Sequence, residues 1–82
     1  MDIEIFLRLS ISHQAQYTWK YGNHLARKDG FQFNHDLYYL DKFFVEIVYN
    51  LELGQVESID GFIQSSRLIT YVQHIDLQKL YS

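Results

Sequence analysis

Two runs of alternating bulky side chains, each bounded by a short turn signal, restrict the middle of this chain to an antiparallel meander. Within residues 24–49, HLARKDGFQFNHDLYYLDKFFVEIVY, Phe31, Phe33, Leu37 and Tyr39 alternate with other residues, and so do Phe43, Val45, Ile47 and Tyr49. Aromatic and β-branched residues at period two mark strands, because successive side chains project to opposite faces. Asp29-Gly30 is a strong two-residue hairpin signal, since a type I′ turn requires two positive φ angles. Asp41-Lys42 offers a second hairpin, with a weaker signal for lack of a glycine.

Those two turns predict a register. Lys28 pairs with Phe31, Ala26 with Phe33 and His24 with His35; across the second turn Leu40 pairs with Phe43, Tyr38 with Val45 and Leu37 with Glu46. Paired residues share a face. One face then carries His24, Ala26, Phe31, Phe33, His35, Leu37, Tyr39, Phe44, Glu46 and Val48. The other carries Leu25, Arg27, Gln32, Asn34, Asp36, Tyr38, Leu40, Phe43, Val45, Ile47 and Tyr49. A slip of one residue exchanges the faces of a strand. Both faces are apolar, whereas a small antiparallel sheet ordinarily keeps one face wet. Either helices cover both sides or one side meets another chain.

Composition sharpens that choice. A chain of 82 residues makes a single domain, residues 1–82, with a modest core. It has no cysteine, so neither a disulfide nor a thiolate-bound metal reinforces it. Aromatic residues at 17% supply dense packing and amphipathic rings suited to an interface. A net charge of −3 argues against a dedicated nucleic-acid binder. No apolar run has membrane-spanning length, and the start Met1-Asp2 with Glu4 lacks the basic opening of a secretion signal, so the expected location is the cytoplasm, away from any membrane.

The flanking segments read as helices. Residues 2–9 satisfy both a strand alternation (Ile3, Ile5, Leu7, Leu9) and a helical stripe (Ile3, Phe6, Leu7), with Asp2 as an N-cap and Glu4 and Arg8 as an i,i+4 pair; helix is the reading adopted. Residues 11–22 form a helix capped by Ser10 or Ser12, with Ile11, Ala15, Trp19 and Gly22 on the buried side and Gln14, Gln16 and Lys20 available to solvent. Asn50 to Gln55 form a turn with Gly54 at a special backbone angle. A fourth strand follows from about Val56 to Ile63, interrupted at Asp60-Gly61 in the manner of an edge strand or a bulge. Ser65-Ser66 caps a last helix with a stripe of Leu68, Tyr71, Val72 and Ile75. The expected fold is α+β: N-terminal helices, a four-stranded antiparallel β-meander and a C-terminal helix.

Candidate chemistry is sparse. In the expected register His24 and His35 lie opposite each other and Glu46 is diagonal to His35, so two imidazoles and a carboxylate offer a site for Zn²⁺ or another divalent transition ion, or an acid–base pair. The bland alternative is a Glu46 held by Arg27 or a tyrosine, with the histidines at a sheet margin. Basic residues interleaved with aromatics, from Tyr17 and Trp19 to Arg27 and Lys28, suit a single-stranded nucleic acid, but the run is short and the chain acidic. No strained glycine elbow sets up Ser12-His13 for nucleophilic catalysis, and no phosphate loop exists. The leading expectation is a non-enzymatic protein–protein interaction module or subunit of a complex, needing no cofactor. Its interface is Tyr38, Leu40, Phe43, Val45, Ile47 and Tyr49, and its partner is another protein or a second copy in a homodimer. The metal-binding protein or metal-dependent enzyme built on His24, His35 and Glu46 is the alternative, and a weak single-stranded nucleic-acid binder the second.

Overall fold

The computed structural model describes residues 1–63 together with Leu68 and Tyr71. Two helices, α1 (Ile3–Arg8) and α2 (Ile11–Tyr21), precede strands β1 (Asn23–Asp29), β2 (Phe33–Leu40), β3 (Phe43–Asn50) and β4 (Gln55–Phe62). The strands form one antiparallel sheet in the order β1-β2-β3-β4, an α+β meander. The helix expected beyond Ser65-Ser66 lies outside the described residues. No helix among them is long and apolar enough to cross a membrane.

The helix starts follow from their caps. The Asp2 carboxylate accepts the Ile5 amide at 2.9 Å, and the Ser10 hydroxyl accepts the His13 amide at 3.2 Å. Each side chain satisfies an amide that the first helical turn leaves without a partner. A six-residue helix cannot stand alone, because helix nucleation is unfavourable. Phe6 anchors α1 by burying its ring completely against Leu40, Phe43, Val45 and Ile47. The buried side of α2 is Gln14, Ala15 and Thr18. This corrects the expected stripe: Trp19 is 53% exposed, Ile11 also faces water, and Gln14 is buried because its Nε2 donates to the Phe6 carbonyl at 2.9 Å. The same carbonyl accepts the Leu9 amide at 3.1 Å, so Gln14 adds a second bond at the end of α1 and ties the two helices together.

The second hairpin has the expected register, with Leu40 opposite Phe43, Tyr38 opposite Val45 and Leu37 opposite Glu46. Asp41 and Lys42 sit at φ 53° and 100°, the two positive angles of a type I′ turn, without a glycine. Asp41 is held there from outside the turn: its carboxylate accepts the Tyr17 hydroxyl at 3.0 Å and lies 3.4 Å from the terminal amine of Met1.

The first hairpin departs from expectation. Lys28 pairs with His35, Arg27 with Asp36 and Ala26 with Leu37. The chain reverses through Phe31-Gln32, where the Gly30 amide donates to the Phe33 carbonyl at 2.9 Å. Glycine is required at position 30 for close approach, not for a left-handed angle: a Cβ there would lie 2.5 Å from the Phe33 carbonyl oxygen. The longer hairpin sets Arg27 directly across from Asp36, an opposite-charge pair that the shorter register forgoes. A bulge then intervenes between His24 and Ala26, so His24 pairs with Tyr38.

Two cores result. Phe6, Leu40, Phe43, Val45 and Ile47 fill the layer between the helices and one sheet face. Leu25, Ala26, Leu37, Phe62 and Tyr71 form a second cluster on the other face. In β4 the irregularity falls where Val48 pairs with Ser58 and Tyr49 with Val56, leaving Glu57 as the extra residue, while Asp60 and Gly61 pair regularly.

Candidate functional site

The residues expected to meet a partner are largely closed under the chain's own helices. Leu40, Phe43, Val45 and Ile47 are buried, and Tyr38 packs half-buried beside them. Tyr49 is half-buried at the edge of the same face. The helices close the end of the sheet near Leu40 and Phe43, where Phe6 packs on both and Tyr17 bonds Asp41, and the opposite end carries the exposed Phe31 and Leu51.

At that open end lies a cleft of 280 Å³ lined by Trp19, Arg27, Asn34, Asp36, Tyr38, Ile47, Tyr49 and Leu51. Its walls are aromatic and its floor is ionic. Asp36 is buried to 8% side-chain exposure, and its Oδ1 accepts Arg27 Nε at 2.8 Å and His24 Nε2 at 2.7 Å. Its Oδ2 accepts Arg27 Nη2 at 3.2 Å. The guanidinium thus grips the carboxylate side-on, which raises the Arg27 pKa still further through that hydrogen bond and its charge. The His24 ring meets Tyr38 edge-on, with centroids 5.2 Å apart. Burial raises the Tyr38 phenol pKa above the ordinary tyrosine value, and the Asp36 charge adds to it, while Arg27 and Trp19 act in the opposite sense.

The proposed metal ligands are not brought together. The bulge at Leu25 turns His24 to the Asp36 face, while His35 and Glu46 occupy the other. His35 Nδ1 lies 3.8 Å from Glu46 Oε2, beyond hydrogen-bond length, and Glu46 accepts the Tyr71 hydroxyl. Lys28 Nζ sits 4.4 Å above the Tyr71 ring. Among the described residues no group of three or more histidine or acidic side chains is placed to hold a metal ion.

The cleft continues onto the loop tips. Leu51 borders both it and a neighbouring hollow formed with Phe31, Gln32 and Glu52. The Leu51 amide donates to the Gln32 carbonyl at 2.8 Å, and Gln32 Nε2 donates to Glu52 at 3.3 Å, so the β1–β2 and β3–β4 loops are tied together. Asn50 shapes the second loop: its buried Oδ1 accepts the Glu52 and Leu53 amides, each at 3.0 Å, and its carbonyl accepts Gly54, which closes the turn at φ 68°. Phe31 is fully exposed, and Leu51 and Leu53 are also exposed.

The expected protein interface omits Trp19, which the helical stripe assigns to the core, and Phe31, which the alternation assigns to a strand; both are exposed. The available signal is Thr18: a helical stripe through Gln14, Ala15 and Thr18 turns Trp19 outward. No family model matches the chain, and neither a curated protein nor a solved structure matches it.

Proposed function

We propose that the protein is a small non-enzymatic protein–protein interaction module, an adaptor or subunit of a complex. Its binding surface runs from the cleft of Trp19, Tyr38 and Tyr49 across Leu51 to Phe31. The observation that carries this reading is the continuity of large, uncovered apolar side chains over two loops locked to each other by hydrogen bonds. Contiguous exposed apolar patches on small proteins mark interaction sites, and tryptophan and tyrosine are the residues that most often anchor them. The partner lies against the open end of the sheet, since Leu40, Phe43, Val45 and Ile47 are occupied by Phe6.

The reading is tested with Trp19→Ala, Phe31→Ser and Leu51→Ser, all at exposed positions. Partners are sought by co-purification, then reconstituted from purified components, and light scattering over a concentration series reads self-association. The expected result is a complex, with a second protein or a second copy, that weakens about tenfold or more in at least one variant while circular dichroism and thermal midpoint stay near wild type. A complex indifferent to all three substitutions refutes this surface.

A further inference from the structure

We infer that the Trp19–Tyr49 cleft selects an acidic side chain: it accepts a glutamate or aspartate of the partner protein onto Arg27, beside a bulky apolar residue that enters between the aromatic walls. This inference rests on the interaction surface proposed above.

The direction of selection follows from which polar groups in the cleft remain available. Both oxygens of Asp36 already accept bonds and the residue is buried, so it offers little to an incoming cation. Arg27 is the reverse. It directs Nε and Nη2 to Asp36, has no other hydrogen-bond partner among the described residues, and is 52% exposed. The outer edge of its planar fork is therefore a set of fixed, charged donors beside aromatic rings. That arrangement matches a carboxylate and repels an ammonium. Asp36 makes the fork rigid, which lowers the ordering cost of binding. The Asn34 side chain adds a neutral amide to the same cleft.

Spacing sets the form of the ligand. Arg27 on β1 lies across from Asp36 and, one strand further, from Ile47; Tyr49 is two residues beyond Ile47 on β3, so it stands about 11–12 Å from Arg27. On an extended segment, side chains at i and i+2 project to one side from positions about 7 Å apart, and the reach of a glutamate and a phenylalanine side chain makes up the rest. Asp29 acts against the carboxylate, since its charge also falls on Arg27.

The experiment titrates the full chain with the peptide Ac-Phe-Ala-Glu-NH2. Trp19 is the chain's one tryptophan, so its fluorescence and indole resonance report the cleft directly. The controls are Ac-Phe-Ala-Gln-NH2, which removes only the charge, and Ac-Ala-Phe-OH, which moves the carboxylate to a chain end. The Glu peptide is expected to bind about tenfold or more tightly than the Gln peptide, because a hydrogen-bonded charge is lost. It is expected to bind more tightly than the chain-end carboxylate too, to weaken in Arg27→Lys, and to strengthen in Asp29→Asn. Equal binding of the Glu and Gln peptides overturns the inference. If that binding is lost in Trp19→Ala, the interaction surface itself stands. Preference for the chain-end carboxylate, or no Trp19 response to any peptide at millimolar concentration, also overturns it. The Glu/Gln comparison uses the wild-type protein and holds whether or not an Arg27 variant folds.

Discussion

Replacing Phe6 with alanine tests whether α1 closes the greasy sheet face. Phe6 has no exposed surface, and its ring centroid lies 5.3 Å from that of Phe43 at a 59° tilt. Truncating a buried phenylalanine to alanine costs about 3–5 kcal/mol, combining lost transfer free energy with an unfilled cavity. The upper part of that range applies here. A helix of six residues has too few internal hydrogen bonds to persist once its anchor is gone, so the Gln14 bond to the Phe6 carbonyl goes with it. For a chain of 82 residues the total stability expected is about 4–12 kcal/mol. A loss of about 4 kcal/mol therefore removes a large fraction of it and lowers the thermal midpoint by roughly 16–32 °C. Urea unfolding followed by circular dichroism and Trp19 fluorescence measures the difference. Phe6→Leu, which keeps an apolar filling, is expected to cost less than half as much. The wet state of the exposed face is read by dye binding. A Phe6→Ala cost below about 1 kcal/mol, with unchanged amide exchange at Val45 and Ile47, refutes the claim that α1 seals this core.

Other consequences follow from local geometry. Lys42→Gly removes a side chain from a φ of 100° and is expected to stabilise the protein by about 0.5–1 kcal/mol in urea unfolding, the relief of left-handed strain exceeding the added chain entropy. Asn50→Ala deprives the Glu52 and Leu53 amides of their acceptor; a loss of about 1–2 kcal/mol is expected, with faster exchange of those amides by NMR. Tyr38 has a folded-state pKa above its unfolded value. Its neutral form is favoured by folding, so this contribution is complete below about pH 10 and is lost as pH rises through the folded value. Unfolding measured along an alkaline series is expected to show that loss, and Tyr38→Phe is expected to flatten it.

The histidine–glutamate trio shows where sequence reasoning reaches its limit. The alternation puts His35 and Glu46 on one face, and they lie on one face, because the Asp41-Lys42 hairpin has the expected register. A turn at Asp29-Gly30 puts His24 with them, whereas His24 sits on the other face. Moving that reversal to Phe31-Gln32 changes the pairing by four residues and preserves the faces; the extra residue at Leu25 is what turns His24 over. Nothing in the local pattern announces a bulge. It exists because Leu25 and Ala26 are both buried, an arrangement that strict alternation forbids.

Sequence alone determined the Asp2 cap, a serine cap at Ser10 or Ser12 of which the structure uses Ser10, the four strands, the turn after Asn50 and the second hairpin. Each depends on forces acting within a few residues: an oxygen placed for an orphan amide, a period of two, a backbone angle. Tertiary structure alone decided which side of α2 is buried, where the first hairpin reverses, and which end of the sheet stays open. Those outcomes weigh contacts between distant residues. Phe6 against Phe43, Arg27 across from Asp36 and Leu51 bonded to Gln32 are each made only once the chain has folded back on itself, and together they outweigh the local preference for turning at Asp29-Gly30.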